Sequence, residues 1–183
     1  MTRVDFIQAH SPIYMYRYAR EEERCHLGAS PIIAVAAHLY GDDAMSDIIT
    51  ALLVDFAQFN GSQQLTVAQI GEVCQCIITQ FPRLRVSELV LFFVKCKAGK
   101  YGKFWNHIYP MDITTHLHSW FHECQEYTRV AHQRQQQEQL ERDRESMYNN
   151  PKKATADDLD AVLSRVRNRS RSGKVLRMGD IIL

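Results

Sequence analysis

Apolar residues recur at helical spacing in five blocks between residues 30 and 146, each opened or closed by a capping residue, glycine or proline. In the first block Ile32, Val35, Ala36 and Leu39 repeat up to Gly41, with Ser30 and Pro31 expected as N-cap and first-turn proline. Ile48, Ile49, Leu52, Leu53 and Phe56 give a second helix a wide apolar face, begun at Asp42 or Asp43 and ended by Asn60 and Gly61. Thr66 is the expected N-cap of a third, whose stripe is Ile70, Val73, Ile77 and Ile78 and which Pro82 stops. Ser87 is expected to cap a fourth, carrying Leu89, Val90, Phe92, Phe93 and Val94, with Gly99 just past its end. A long fifth helix starts near Asp112 and keeps Ile113, Leu117, Trp120, Phe121, Cys124, Tyr127 and Val130 on one face. From Ala131 to Glu145 only Leu140 is strongly apolar, so the last turns are expected to project into solvent or to meet a partner.

Outside these blocks the periodicity weakens. In residues 1–29 Tyr14, Tyr16 and Tyr18 alternate as a strand would, whereas Ala19 to Arg24 favours helix, and neither period prevails. Residues 99–110, GKYGKFWNHIYP, combine two glycines, a proline and four aromatics and read as a structured loop or small hairpin. Residues 146–155 have linker composition, and in residues 156–183 a short amphipathic stretch (Leu159, Val162, Leu163, Val166) gives way to a basic tail. The expected architecture is mainly α. An N-terminal extension (1–29) precedes a compact domain of about five helices (30–145) with a Gly-aromatic loop and a long C-terminal helix, then the linker and tail.

Composition agrees with one globular domain plus an appendage: 183 residues, 45% hydrophobic and 23% charged. Glu21, Glu22 and Glu23 fall where a secretory signal would need its apolar core, and the longest run without Asp, Glu, Lys or Arg, Cys25 to Gly41, is too short and polar to span a bilayer. No membrane partner is expected. Cys25, Cys74, Cys76, Cys96 and Cys124 form no disulfide framework and suit free thiols in a cytoplasmic protein.

The net charge of +1 conceals an uneven distribution. Between Gln80 and Pro110, Arg83, Arg85, Lys95, Lys97, Lys100 and Lys103 face a single acid, Glu88, and Tyr101, Phe104 and Trp105 are interleaved with them. Cations for phosphates beside rings for unstacked bases are the ingredients of a nucleic-acid surface. Lys95, Lys97, Lys100, Tyr101 and Lys103 are therefore the expected contacts, around a structural turn at Gly99 and Gly102. Arg165, Arg167, Arg169 and Arg171 in the tail would form a second clamp. The same residues also have a purely structural role open to them, since lysines ending a helix answer its dipole and loop aromatics pack inward.

Signatures of catalysis are absent: there is no Gly-rich phosphate loop, nucleophile elbow or zinc-protease helix, so no catalytic residue and no cofactor is expected. His118 and His122 share a helix face at a chelating interval, but on its polar flank without a third ligand, and Cys74 and Cys76 point apart. No metal site is expected.

Leu65-Thr66, Gln69-Ile70, Phe81-Pro82, Leu84, Ser87-Glu88-Leu89, Phe92-Phe93, Gly99-Lys100-Tyr101-Gly102 and the stretch from Ile113 to Phe121 together resemble a family of small helical bacterial proteins of uncharacterised activity. That family is often associated with plasmids, prophages and conjugative elements. The likeness spans roughly residues 45 to 130, and the Gly-x-Tyr-Gly turn after an aromatic helix is its most specific piece. In outline the arrangement is also similar to small domains of phage replication-initiation and helicase-loader proteins. The family commonly carries arginine near the position of Cys124; Phe121-His122-Glu123-Cys124 departs from that pattern, so no role of that arginine passes to this chain. The resemblance implies a setting more than a reaction. The expected function is a non-catalytic, nucleic-acid-associated accessory protein of a mobile element, in replication or its control, with DNA or a replication protein as partner. The alternative is a protein-interaction adaptor or oligomerising helical protein, docking through the Gln-rich end of the long helix and residues 156–168.

Overall fold

A computed structural model describes residues 1–61, 65–102, 108–149 and 163–164. Eight α-helices and one 3₁₀ turn make up the described chain: α1 (Arg3–Ala9), the turn Pro12–Tyr14, α2 (Tyr16–Arg20), α3 (Glu22–Leu27), α4 (Ile33–Tyr40), α5 (Asp42–Phe59), α6 (Val67–Gln80), α7 (Val86–Lys97) and α8 (Pro110–Asn149). Among these residues there are no strands, only one isolated bridge between Ile32 and Arg85. The fold is mainly α, as the hydrophobic period predicts. Helices α4 to α8 are the five expected elements.

The centre of the core is α7. Its run Leu89-Val90-Leu91-Phe92-Phe93-Val94 is apolar on every side, which is the pattern of a helix enclosed all round, and all six residues are buried. Helix α7 packs on α2, α3 and α5, and α5 packs in turn on α1, α4 and α6. Ile113, Leu117, Trp120 and Cys124 of α8 belong to the same core, where the Trp120 indole donates to the Glu88 carbonyl at 2.9 Å.

Residues 1–29, read from sequence as an extension, place Phe6, Met15, Cys25 and His26 in this core. Phe6 stacks on Tyr40 with ring centroids 4.2 Å apart. Three helices of five to seven residues, α1 to α3, are too short for an 11-residue periodicity window to detect.

Cap positions shift where tertiary contacts take over. Thr66 and Gln69 form the expected capping box at α6. Helix α4, by contrast, starts at Ile33, because Ser30 and Pro31 run extended beside residues 82–86: Ile33 and Ala34 donate to the Leu84 and Pro82 carbonyls, and Val86 donates to Pro31. Helix α5 begins behind Gly41, with Asp42 and Asp43 in its first turn. Ser87 lies inside α7, whose N-cap is Arg85.

The chain divides into two units, Met1–Gln133 and Arg134–Leu183. The boundary falls within α8, which continues to Asn149, beyond the start of the segment read as a linker. Residues 134–148 of that helix are exposed and carry local pairs such as Arg134 with Glu138 and Gln139 with Asp143, both at 2.9 Å. Leu163 and Ser164 are helical. No described helix is long and apolar enough to cross a membrane.

Candidate functional site

Of the lysines singled out by charge, the three that are described, Lys95, Lys97 and Lys100, each have an acidic partner. Lys95 pairs with Glu22 of α3 at 2.6 Å, Lys97 with Asp55 of α5, and Lys100 with Glu123 of α8. The Lys97 side chain is only 5% exposed; its amine also lies 3.6 Å from the Met15 sulfur and over the Phe59 ring. These three cations tie α7 and the turn after it to three other elements. Tyr101 packs inward, its ring 5.5 Å from Phe92 and 5.1 Å from His116. Its hydroxyl is buried with no hydrogen-bond partner among the described residues. Burial, then the negative charge of Glu123, pushes the phenol above its usual value. Gly99 and Gly102 both adopt positive φ, 80° and 84°. Lys103, Phe104, Trp105 and the tail arginines Arg165, Arg167, Arg169 and Arg171 lie outside the described residues.

A different constellation occupies the interior of the first unit. Glu88, 5% exposed in its side chain, accepts from His26 Nδ1 at 2.9 Å through Oε1 and from the Arg85 backbone N–H at 2.8 Å through Oε2. The Cys124 thiol lies within 4.8 Å of the same carboxylate, and burial followed by that negative charge pushes the thiol pKa up. A buried carboxylate needs such compensation, because an unpaired charge in a low-dielectric core costs several kcal/mol, of order 3–5 when a partner is removed. The His26 ring is flanked by Tyr127 at 4.4 Å and Trp120 at 5.6 Å.

Backbone stitching between residues 25–34 and 82–88 brings His26 to Glu88. Arg85 donates to the carbonyls of Gly28 (3.1 Å) and Ser30 (2.7 Å), Ser87 N–H donates to Ser30 Oγ (3.1 Å), and Ser87 Oγ donates to the Cys25 carbonyl (2.7 Å). Gly28 is required at the end of α3, since a Cβ there would lie 2.2 Å from the Arg24 carbonyl oxygen.

Glu88 and Cys124 also line an open cleft of about 360 Å³, together with Ile32, Phe121, Gln125 and Thr128, and with Arg83, Arg85, Arg129 and His132 around it. Arg129 is held by Glu126 through two bonds, at 2.5 and 2.8 Å, and Arg85 by the carbonyls named above. Arg83 is exposed and has no ion pair among the described residues.

A family model described as a family of unknown function, DUF6633, matches residues 64–158, more than half of the chain. The chain belongs to DUF6633. No curated protein and no solved structure matches it. The DUF6633 match takes in Glu88, Cys124 and the arginines of the cleft, but not His26, which the N-terminal helices deliver.

Among the described residues His26, Glu88 and Cys124 are the group whose ligand atoms could hold a metal ion, all lying within 4.8 Å of one another. His118 and His122 are exposed and rest instead on aromatic neighbours, His118 on Phe81 at 4.6 Å and His122 beside Phe121. A Cys–His nucleophile pair is not formed here. Burial and the Glu88 charge drive the Cys124 thiol toward the protonated form, the reverse of what a nucleophilic thiolate needs. In the sequence Glu88 figures as the lone acid of a basic stretch and as part of the Ser87-Glu88-Leu89 piece of the resemblance, with no chemical role of its own. A glutamate third in a helix is ordinary capping chemistry, so no local signal tied it to a histidine 62 residues away.

Proposed function

We infer that this DUF6633 chain is a non-catalytic accessory protein that binds nucleic acid, in the cytoplasm and in the service of a mobile element's replication or its control. The observation that supports this most is the cleft: Arg83, Arg85, Arg129 and His132 line one open concave surface, and Arg83 is exposed with no ion pair among the described residues. Arginine recognises phosphate through a planar fork of donors, and an arginine-lined cleft exposes that fork where a backbone can enter. The expected contacts are therefore Arg83 and, where a phosphate takes the place of Glu126, Arg129, with the tail arginines adding sequence-independent attraction.

Fluorescence anisotropy with labelled single- and double-stranded DNA over a salt series tests this. Binding should weaken as salt rises, with a log–log slope of about −1.4 to −1.8 for the two phosphate contacts of Arg83 and Arg129, and a steeper one where the tail arginines add theirs. The double reversal Arg83→Glu/Arg129→Glu should cut affinity at least about tenfold at about 50 mM salt. Undetectable binding of the unaltered chain under those conditions would exclude the proposal. A second reading, a helical adaptor, is favoured by Leu140 and Met147, exposed seven residues apart on α8. A concentration-dependent oligomer without DNA affinity is the outcome that would select it.

A further inference from the structure

We propose that His26, Glu88 and Cys124 form a binding site for one divalent transition-metal ion of the zinc class, at the floor of the arginine cleft. Whether or not nucleic acid enters that cleft, the site stands on its own geometry.

The ligand set is the first argument. Imidazole nitrogen, carboxylate oxygen and thiolate sulfur are the three donor types zinc takes, and here one atom of each lies within 4.8 Å of the others in a region where all three residues are buried. Tetrahedral coordination at bond lengths of about 2.0–2.3 Å needs ligand atoms a little over 3 Å apart, so modest side-chain rotations bring the three onto one ion.

Charge is the second. A divalent ion with the carboxylate of Glu88, the thiolate of Cys124 and a neutral imidazole is an electrically neutral assembly, which suits a low-dielectric interior better than a lone carboxylate does. Binding replaces the Cys124 thiol proton and the His26–Glu88 hydrogen bond with bonds to the metal. The thiol proton is released to solvent, and the proton that His26 Nδ1 shares with Glu88 passes through solvent to Nε2, which leaves a neutral imidazole with Nδ1 free to ligate, so atoms and charge balance.

Support around the ligands is the third. The Arg85 backbone N–H holds Glu88 Oε2 at 2.8 Å and leaves Oε1 to turn to the ion, while Tyr127 and Trp120 fix the plane of the His26 ring. Outer hydrogen bonds of this kind orient metal ligands and raise their affinity. Because Glu88 and Cys124 line the cleft, an ion has an entry path from that side. Three protein ligands with one open position is the arrangement of an accessible zinc site.

The test uses the full chain, stripped with chelator and reloaded with zinc or cobalt. Elemental analysis after gel filtration should find about one equivalent of metal, and the cobalt form should show a thiolate-to-cobalt charge-transfer band with intense tetrahedral visible bands. C124S should lose the band and lower metal affinity at least tenfold with an unchanged circular dichroism spectrum. X-ray absorption on the zinc-loaded unaltered chain requires no variant and should find a single sulfur among nitrogen and oxygen neighbours. A chain that retains no zinc, a zinc shell with no sulfur or with several, or a folded C124S that keeps the charge-transfer band would each overturn the proposal.

Discussion

At the scale of single residues, exposure decides what each charged side chain is worth. Lys97 and Asp55 form one ion pair, yet the lysine is 5% exposed and the aspartate 32%. Removing the buried partner therefore differs from removing the wetter one. In Asp55→Asn the Lys97 ammonium stays enclosed without its counter-charge, near Met15 and Phe59. In Lys97→Met the remaining carboxylate turns to water and the new side chain fills an apolar site. Asp55→Asn should cost about 2–3 kcal/mol and Lys97→Met less than about 1 kcal/mol, values between those of exposed and fully buried pairs. Urea denaturation of the two variants checks the order, and equal midpoints would contradict it. The same asymmetry explains why reversing the charge of Lys97 is a poor probe of nucleic-acid binding: it would place a second carboxylate beside Asp55.

At the scale of elements, the end of α7 shows how much the chemistry of a turn can settle. Gly99 N–H bonds to the Cys96 carbonyl at 3.0 Å and Lys100 N–H to the Lys95 carbonyl at 3.0 Å, the double closure of a Schellman motif with Gly99 at the left-handed position. A side chain there has open space around it, so the penalty for substitution is conformational and not steric. Gly99→Ala should lower stability by about 1–2 kcal/mol, measured by thermal or urea unfolding, and leave α7 intact by circular dichroism. A neutral substitution would show that the turn relaxes. The turn was legible in sequence because a glycine just past an apolar helical block has few other uses. The destination of Tyr101 was not, since a ring beside lysines fits a binding loop as well as a core contact, and only packing against Phe92 and His116 separates the two.

At the scale of the whole molecule, proton linkage ties the N-terminal helices to overall stability. His10 is buried, its Nδ1–H donates to the Phe6 carbonyl at 2.8 Å, and burial together with the charge of Arg17 keeps the ring below its usual 6.5. The folded chain then holds fewer protons than the unfolded chain once pH drops below that value. Stability is complete above pH 6.5 and is lost as pH falls toward the depressed folded value, by at most about 1.4 kcal/mol per pH unit for one proton. The alkaline side has the opposite sign: burial raises Cys25 from 9.0 to about 12, so the unfolded chain loses its proton first and stability falls as pH rises through that interval. Denaturation midpoints across pH should trace a dome, and His10→Gln should flatten its acidic shoulder below pH 6.5. An unchanged shoulder would assign it to other groups.

Helix type, approximate bounds and the enclosure of α7 follow from local rules, because a 3.6-residue period, a capping box at Thr66 and a glycine after an apolar run act within a few residues of themselves. The basic stretch from Arg83 to Lys100 was equally visible, but charge along a chain is silent about partners, and Glu22, Asp55 and Glu123 arrive from three other helices. The cluster of His26, Glu88 and Cys124 exists only because the extended segment before α4 is laced to residues 82–88 while α8 lays its apolar face on α7. Those contacts are long-range, and they are set by which buried polar groups can satisfy one another once the hydrophobic faces have closed. Folding thus pairs the lysines of the basic stretch with acids from other helices and gathers a carboxylate, an imidazole and a thiol beside an arginine-lined cleft.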